Sequence, residues 1–234
     1  MIRRVQPRKR AGFPARATIM AALLLPLVFL MAPSARAVGT VWQVDDATCP
    51  GVGSGTPADP YCRIQDAICA ATAGDTVSVA AGTYPESVRM KPDVSVISQA
   101  GPAVTMIDGL AQPCTAADFC TKETGTQCSV VIFALGHTPS TVLDGFTITG
   151  GEGHLDIGLI AGGGVLIFSS PTVTNNIITN NVLAGPLPQA SDLRGAGVYV
   201  ALGQAIISNN TITGNRAIPS AGVYGGGETS GYGG

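Results

Sequence analysis

The chain is poor in charge. Only 12% of its 234 residues are Asp, Glu, Lys or Arg, and lysine stands only at positions 9, 91 and 122. Without Glu- and Lys-rich heptads it is neither a coiled coil nor a helical bundle. Disorder is excluded from the other side, because 45% of the residues are hydrophobic and little charge opposes collapse. Aromatic residues make up 5%, with Trp42 the single tryptophan. The exposed aromatic platforms that often bind sugars therefore have little to draw on. Tyr199 and Tyr224, which follow matching Gly-Val pairs, are the two placed to stack on one another.

Long apolar runs are missing as well. The longest, Ile19–Met31, has thirteen residues and is too short to cross about 30 Å of hydrocarbon. It follows a basic stretch and precedes Ala35-Arg36-Ala37, whose alanines stand at −3 and −1 of a cleavage site. Residues 1–37 hold Arg3, Arg4, Arg8, Lys9, Arg10, Arg16 and Arg36 and no acid. This order reads as a secretory signal, with an N-terminal membrane anchor as the competing reading. The mature chain is then expected to start near Val38, to carry no transmembrane segment, and to be secreted, extracellular or on the cell surface, with the periplasm as the alternative. It sets six basic residues against all fifteen acidic ones, a net charge of −9. Such a body is a poor partner for nucleic-acid phosphates.

Cys-x-x-Cys pairs are absent, and neither His137 nor His154 stands at metal-ligand spacing from a cysteine. The six cysteines, Cys49, Cys62, Cys69, Cys114, Cys120 and Cys128, read instead as disulfides in an exported protein. Cys49 with Cys62 is the expected pair, because they bracket a Pro- and Gly-rich loop. The other pairings are open.

What is present is punctuation and repetition. Ile64, Ala67, Ile68 and Ala71 fall on one face of a helix predicted over about 62–73 and stopped by Gly74. Residues 38–75 thus form an entry segment with the strand Val41–Val44, a disulfide loop and this helix. From 76 to 224 the period is two: Val77 and Val79, Val88 and Met90, Val94 and Val96, and Val104 and Met106 mark short strands between dense turns. Three segments, 141–151, 171–181 and 205–215, align without gaps. Leu143, Val173 and Ile207 form one apolar column, Ile148, Ile178 and Ile212 another, and Asp144, Thr174 and Ser208 a polar one.

Gly and Asn alternate at fixed places: Gly145, Asn175 and Asn209; Gly150, Asn180 and Gly214; Gly151, Asn181 and Asn215. The two residues share tolerance of positive φ, which costs most others roughly 1–2 kcal/mol. Their interchange predicts recurring bends, and stacked Asn side chains would hydrogen-bond from one repeat to the next. A second motif, Gly163-Gly-Val165, Ala196-Gly-Val198 and Ala221-Gly-Val223, opens further strands. One such unit cannot bury its own apolar face, so units stack around a shared core. The fold expected is all-β, a right-handed parallel β-helix (a solenoid) with a short N-terminal capping helix. The Gly-rich tail 225–234 has no apolar strand and no capping helix, so either the tail covers the end of the stack, or the chain associates end to end through an uncapped C-terminal coil, or it continues into a longer solenoid, which is the leading expectation.

Ile64-Gln-Asp-Ala-Ile68, Gly74-Asp-Thr-Val77, Ala81-Gly-Thr-Tyr84 and Ile107-Asp-Gly109 resemble the cap and first coil of the pectate lyase-like superfamily of right-handed parallel β-helices. The later segments resemble the repeat found in many secreted bacterial proteins. The resemblance covers roughly 41–234 and implies a helix that closes one end of the coil stack. It implies no single activity, because the scaffold carries lyases, hydrolases, epimerases and adhesins. Lyases of this kind need carboxylates for Ca²⁺ and an Arg or Lys base; Asp192 and Arg194 are the weak catalytic candidates. Hydrolases need paired aspartates and Gly-His-Gly, whereas His137 is followed by Thr138 and His154 by Leu155. Glu152, His154 and Asp156 alternate and are weak candidates for a cation. No cofactor is expected, Ca²⁺ entering only under the lyase alternative. The leading expectation is a non-catalytic, secreted or surface protein that binds extracellular polysaccharide or a cell-surface component. A polysaccharide lyase and an adhesin or autotransporter passenger fragment are the alternatives.

Overall fold

A computed structural model describes residues 39–49, 51–109, 127–156, 159–184 and 192–218. The chain divides into two units, Met1–Arg36 and Ala37–Gly234, and every described residue lies in the second. The expected signal, Cys114, Cys120, Ala221-Gly-Val223, Tyr224 and the tail 225–234 lie outside the described residues.

After β1 (Val41–Val44) and α1 (Ile64–Ala70) the chain returns to the same places again and again. A first circuit gives β2 (Thr76–Val79), β3 (Gly82–Tyr84) and β4 (Val88–Arg89). The next gives β5 (Ser95–Ser98), β6 (Thr105–Asp108), β7 (Gln127–Cys128) and β8 (Val131–Phe133). Then come β9 (Val142–Asp144), β10 (Thr147–Thr149), β11 (Gly153–Asp156), β12 (Leu159–Ala161) and β13 (Val165–Ile167). A fourth gives β14 (Thr172–Thr174), β15 (Ile177–Thr179), β16 (Val182–Ala184), β17 (Asp192–Arg194) and β18 (Val198–Val200), and the last β19 (Ile206–Ser208), β20 (Thr211–Thr213) and β21 (Arg216–Ile218).

Strands one circuit apart pair in parallel. The orders are β1-β2-β5-β9-β14-β19, β3-β6-β10-β15-β20, β4-β8-β13-β18 and β16-β21. Among the described residues the fold is mostly β with one helix, its parallel sheets stacked strand upon strand, an arrangement that fits an all-β solenoid. Register follows the aligned columns. Leu143 lies opposite Val173 and Val173 opposite Ile207; Ile148 lies opposite Ile178 and Ile178 opposite Ile212. The period of two sends every second residue inward, so Val77, Val96, Leu143 and Val173 meet Tyr84, Ile107, Ile148 and Ile178 in one buried core. Each such side chain contributes about 1.5–3 kcal/mol on burial. At the last circuit the column opens, and Ile207 is 39% exposed.

Three expectations are corrected. Val104 does not face the core: it is 54% exposed, and Thr105 and Ile107 point inward instead. The buried Thr105 hydroxyl is tolerated because it accepts a hydrogen bond from Ser98 Oγ at 2.7 Å. The helix ends at Ala70, short of residue 73, because Ala71 is already extended and Thr72 bonds to Asp75. The fold is also not wholly parallel. β11 pairs antiparallel with β12 and with β7, while β12 pairs in parallel with β17. Only two residues join β11 to β12, a connection too short for a parallel crossover.

The bends divide into two kinds. Gly145, Asn175 and Asn209 have φ of 86°, 56° and 56°, and Gly150, Asn180 and Gly214 have 77°, 55° and 67°. Gly151, Asn181 and Asn215 are not left-handed, so their pattern has another cause. A Cβ on Gly151 would run into the carbonyl of Gly163. Asn181 instead uses its side chain. Its Oδ1 accepts from the Gly151 amide at 2.8 Å, and its Nδ2 donates to the Ile148 carbonyl and to Asn215 Oδ1. Asn215 repeats this one circuit later, accepting from the Asn181 amide and donating to the Ile178 carbonyl. Asn176 and Asn210 form a parallel ladder with the Phe146 amide and the Leu143 and Val173 carbonyls. Both ladders satisfy backbone groups that turn away from the sheets, which is the cost any buried bend must meet.

Candidate functional site

The lyase candidates lie on the mixed sheet. In β17, Asp192 stands opposite Leu159 and Arg194 opposite Ala161. Arg194 is exposed, and its Nη1 donates to Tyr199 Oη at 3.5 Å, the limit for such a bond. The side chain of Asp192 lies outside the described residues. The cation candidates lie on the neighbouring strand. His154 sits in β11, half-buried, across from Ala161 and Gln127, and Glu152 precedes the strand and is exposed. The Asp156 side chain lies outside the described residues. Among the described residues no three His, Cys, Asp or Glu side chains converge as a metal site. No helix among them is long and apolar enough to cross a membrane.

Cys49 and Cys62 are bonded, with Cα atoms 5.4 Å apart. Cys69 is disulfide-bonded too. The Cys128 side chain lies outside the described residues.

The six-stranded sheet has the most strands among the described residues, and its outer face is a candidate surface. Two columns run across it in register: Val41, Thr76, Ser95, Val142, Thr172 and Ile206; and Gln43, Ser78, Ile97, Asp144, Thr174 and Ser208. At about 4.8 Å per strand the face is about 24 Å long. Side chains knit it together. Gln99 donates to Gln43 and Ser78 at 3.0 Å each, Ser208 to Thr174 at 3.1 Å, and Asn175 to Asp144 at 2.9 Å. Asp144 is the one ionisable residue in these columns, and the rest of the polar groups are hydroxyls and an amide.

The capped end holds polar groups that sequence reasoning passed over. Glu86 is 2% exposed, and its two carboxylate oxygens accept from the Ile64 and Gln65 amides at 2.7 and 3.0 Å. It caps α1, where Arg63 offers no side-chain cap of its own. Burial pushes its carboxyl up to about 7, although the Gln65 and Ile64 amides and Arg63 pull the other way. At the other end Lys91 donates to the Cys69 and Ala71 carbonyls at 3.2 and 2.6 Å. Between them Gln65 binds the amide and carbonyl of Arg89, so α1 closes the edge of β4. Asp75 accepts from the Thr40 and Thr72 amides, the Thr72 hydroxyl and Trp42 Nε1. The Thr72 amide leads in holding it down at about 2. One signal was available for Glu86: it lies in phase with Val88 and Met90, so alternation alone points it inward.

His137 is 4% exposed, stacked edge-on against Phe133 with centroids 5.5 Å apart. Its Nδ1 lies 3.3 Å from Thr141 Oγ1, which accepts the Asp93 amide. Burial holds the imidazole down at about 4, against the pull of Asp93. No protein-family model, no curated protein and no solved structure matches the chain.

Proposed function

We propose that the chain is an exported right-handed parallel β-helix of the pectate lyase-like kind that binds extracellular polysaccharide along its six-stranded sheet without cutting it. The observation that carries this reading is the outer face. Its two in-register columns carry Ser, Thr and Gln side chains interspersed with Val41, Ile97, Val142 and Ile206, with Asp144 their single ionisable group. Hydroxyl and amide groups on five of the six strands suit a polymer of hydroxylated units, because successive units meet similar donors and acceptors. The Cys49–Cys62 bridge supports an oxidising, extracellular setting.

The test is a retention screen of residues 38–234 on neutral and acidic polysaccharides, with and without Ca²⁺. Retention with no cleavage is expected, and Thr174→Arg, which plants a bulky side chain on the face, abolishes it. New unsaturated ends absorbing in the ultraviolet would overturn the reading in favour of a lyase.

A further inference from the structure

The charges on the six-stranded sheet say more than its hydroxyls do. None of its strands, β1, β2, β5, β9, β14 and β19, contains a lysine or an arginine. The single ionisable side chain in its two columns is Asp144, on the fourth strand of the six. Residues 38–234 as a whole set six basic side chains against fifteen acidic ones, so nothing in the overall charge favours a polyanion either.

Asp144 is half-buried and partly committed. Its Oδ1 accepts from Asn175 Nδ2 at 2.9 Å, which holds the side chain in place. Among the described residues nothing donates to its other oxygen. Ile97 stands opposite it on β5, and Val142 shares its strand in the neighbouring column. Thr76 and Ser95, further along that column, keep hydroxyls that no described group engages.

Two kinds of polymer can meet such a surface, and the charges separate them. A neutral sugar chain brings hydroxyls, which donate to the Asp144 carboxylate in a charge-assisted bond, and C–H faces, which lie against Val142 and Ile97. An acidic chain brings a carboxylate on every unit. In columns without a cation that charge meets Asp144 and finds nothing to balance it. Ca²⁺ does not rescue the acidic chain, because the ion takes about six to eight oxygen ligands and its affinity depends on how many are charged. Asp144 is the one carboxylate in the columns, and Val142 and Ile97 have no side-chain oxygen. Shape adds a second condition. The columns run in register across all six strands, so an extended, ribbon-like chain keeps contact with each, whereas a coiled one leaves the surface.

We propose that the polymer taken by this face is a neutral, extended polysaccharide, and that Asp144 sets the preference against acidic ones. The inference rests on the reading of the sheet as a polysaccharide site and narrows it to one class.

The test is calorimetric titration of the full, oxidised chain with two hexamers of one backbone: cellohexaose, and cellohexaose whose primary alcohols have been oxidised to carboxylates. Cellohexaose is expected to bind saturably. The oxidised hexamer is expected to bind at least about tenfold more weakly at low ionic strength, the gap narrowing as salt is added and staying unchanged with Ca²⁺. Asp144→Asn, which keeps an oxygen for Asn175, is expected to bring the two hexamers within about threefold of each other. Its thermal midpoint checks that the fold is intact. Equal or tighter binding of the oxidised hexamer, with or without Ca²⁺, would refute the neutral class and leave the broader polysaccharide reading in place. A folded Asp144→Asn chain with the wild-type gap would remove the role given to Asp144. If the retention screen holds some polysaccharide and cellohexaose does not bind, this inference falls alone; if the screen holds none, both fall.

Discussion

Glu86 and His137 pull the stability of this protein in opposite directions as pH changes, and the two effects nearly cancel. Glu86 titrates at about 7 in the folded chain against an ordinary 4.5. Between those values the folded state holds a proton that the unfolded state has lost. Stability from this group is therefore full below pH 4.5 and declines as pH rises through 7. At about 1.4 kcal/mol per pH unit the whole change is about 3 kcal/mol. His137 titrates at about 4 against an ordinary 6.5. Here the unfolded state holds the extra proton, so stability is full above pH 6.5 and is lost as pH falls through 4, again by about 3 kcal/mol. The windows overlap from 4.5 to 6.5, where the slopes oppose one another. Glu86→Gln removes one slope and leaves the other. Its stability relative to wild type should rise with pH across this range, whereas that of His137→Asn should fall. Urea unfolding followed by circular dichroism at pH 4.5, 5.5 and 6.5 measures both, and taking differences from wild type removes the titration of every shared group. If the two variants run parallel to wild type, the burial argument for these groups is refuted. If both tilt the same way, one of the signs is wrong.

Other expectations follow from the bends, the ladders and the bridge. Asn181→Ala strands the Gly151 amide and the Ile148 carbonyl and should lower stability in urea by about 3 kcal/mol. Asn180 stands at φ 55°, and Asn180→Ala, which keeps the Cβ but loses the polar side chain that lets Asn tolerate this region, should cost about 1 kcal/mol, whereas Asn180→Gly should stay near wild type in the same assay. Replacing Cys49 and Cys62 by serine opens a loop of 13 residues in sequence separation. This should lower the thermal stability by the equivalent of about 3 kcal/mol, read by calorimetry under non-reducing conditions.

The repeats were legible because two independent signals agree there. Period-two alternation assigns the faces of Leu143, Val173 and Ile207, and the Gly and Asn positions assign the bends, so register follows without any long-range information. The Cys49–Cys62 pair was legible for a similar reason, since its loop is local. Alternation failed at Val104 and Met106, where the buried hydroxyl of Thr105 has a partner, Ser98, that no pattern announces. Asn181 and Asn215 were grouped with the bends because Asn serves both as a bend residue and as a backbone cap, and composition does not separate the two uses. The clamp on α1 was illegible because Glu86 lies 21 and 22 residues from the amides it caps. A pocket beside α1 combines residues from the helix, from 89–92 and from 134–137, which come together only when β4 pairs with β8.

The asparagine ladders have a consequence for how such a chain can grow. Each rung bonds back to the preceding circuit in the same way, its Oδ1 accepting a backbone amide and its Nδ2 donating to a carbonyl, and the Oδ1 of Asn215 also accepts from the Nδ2 of Asn181 behind it. Nothing in a rung depends on which circuit it occupies. Duplicating the stretch from Thr172 to Ala205 would therefore add one more rung to both ladders and one more strand to each parallel sheet it crosses, leaving the old contacts in place. Length is then an adjustable quantity, set by unequal recombination between like segments rather than by redesign of a core.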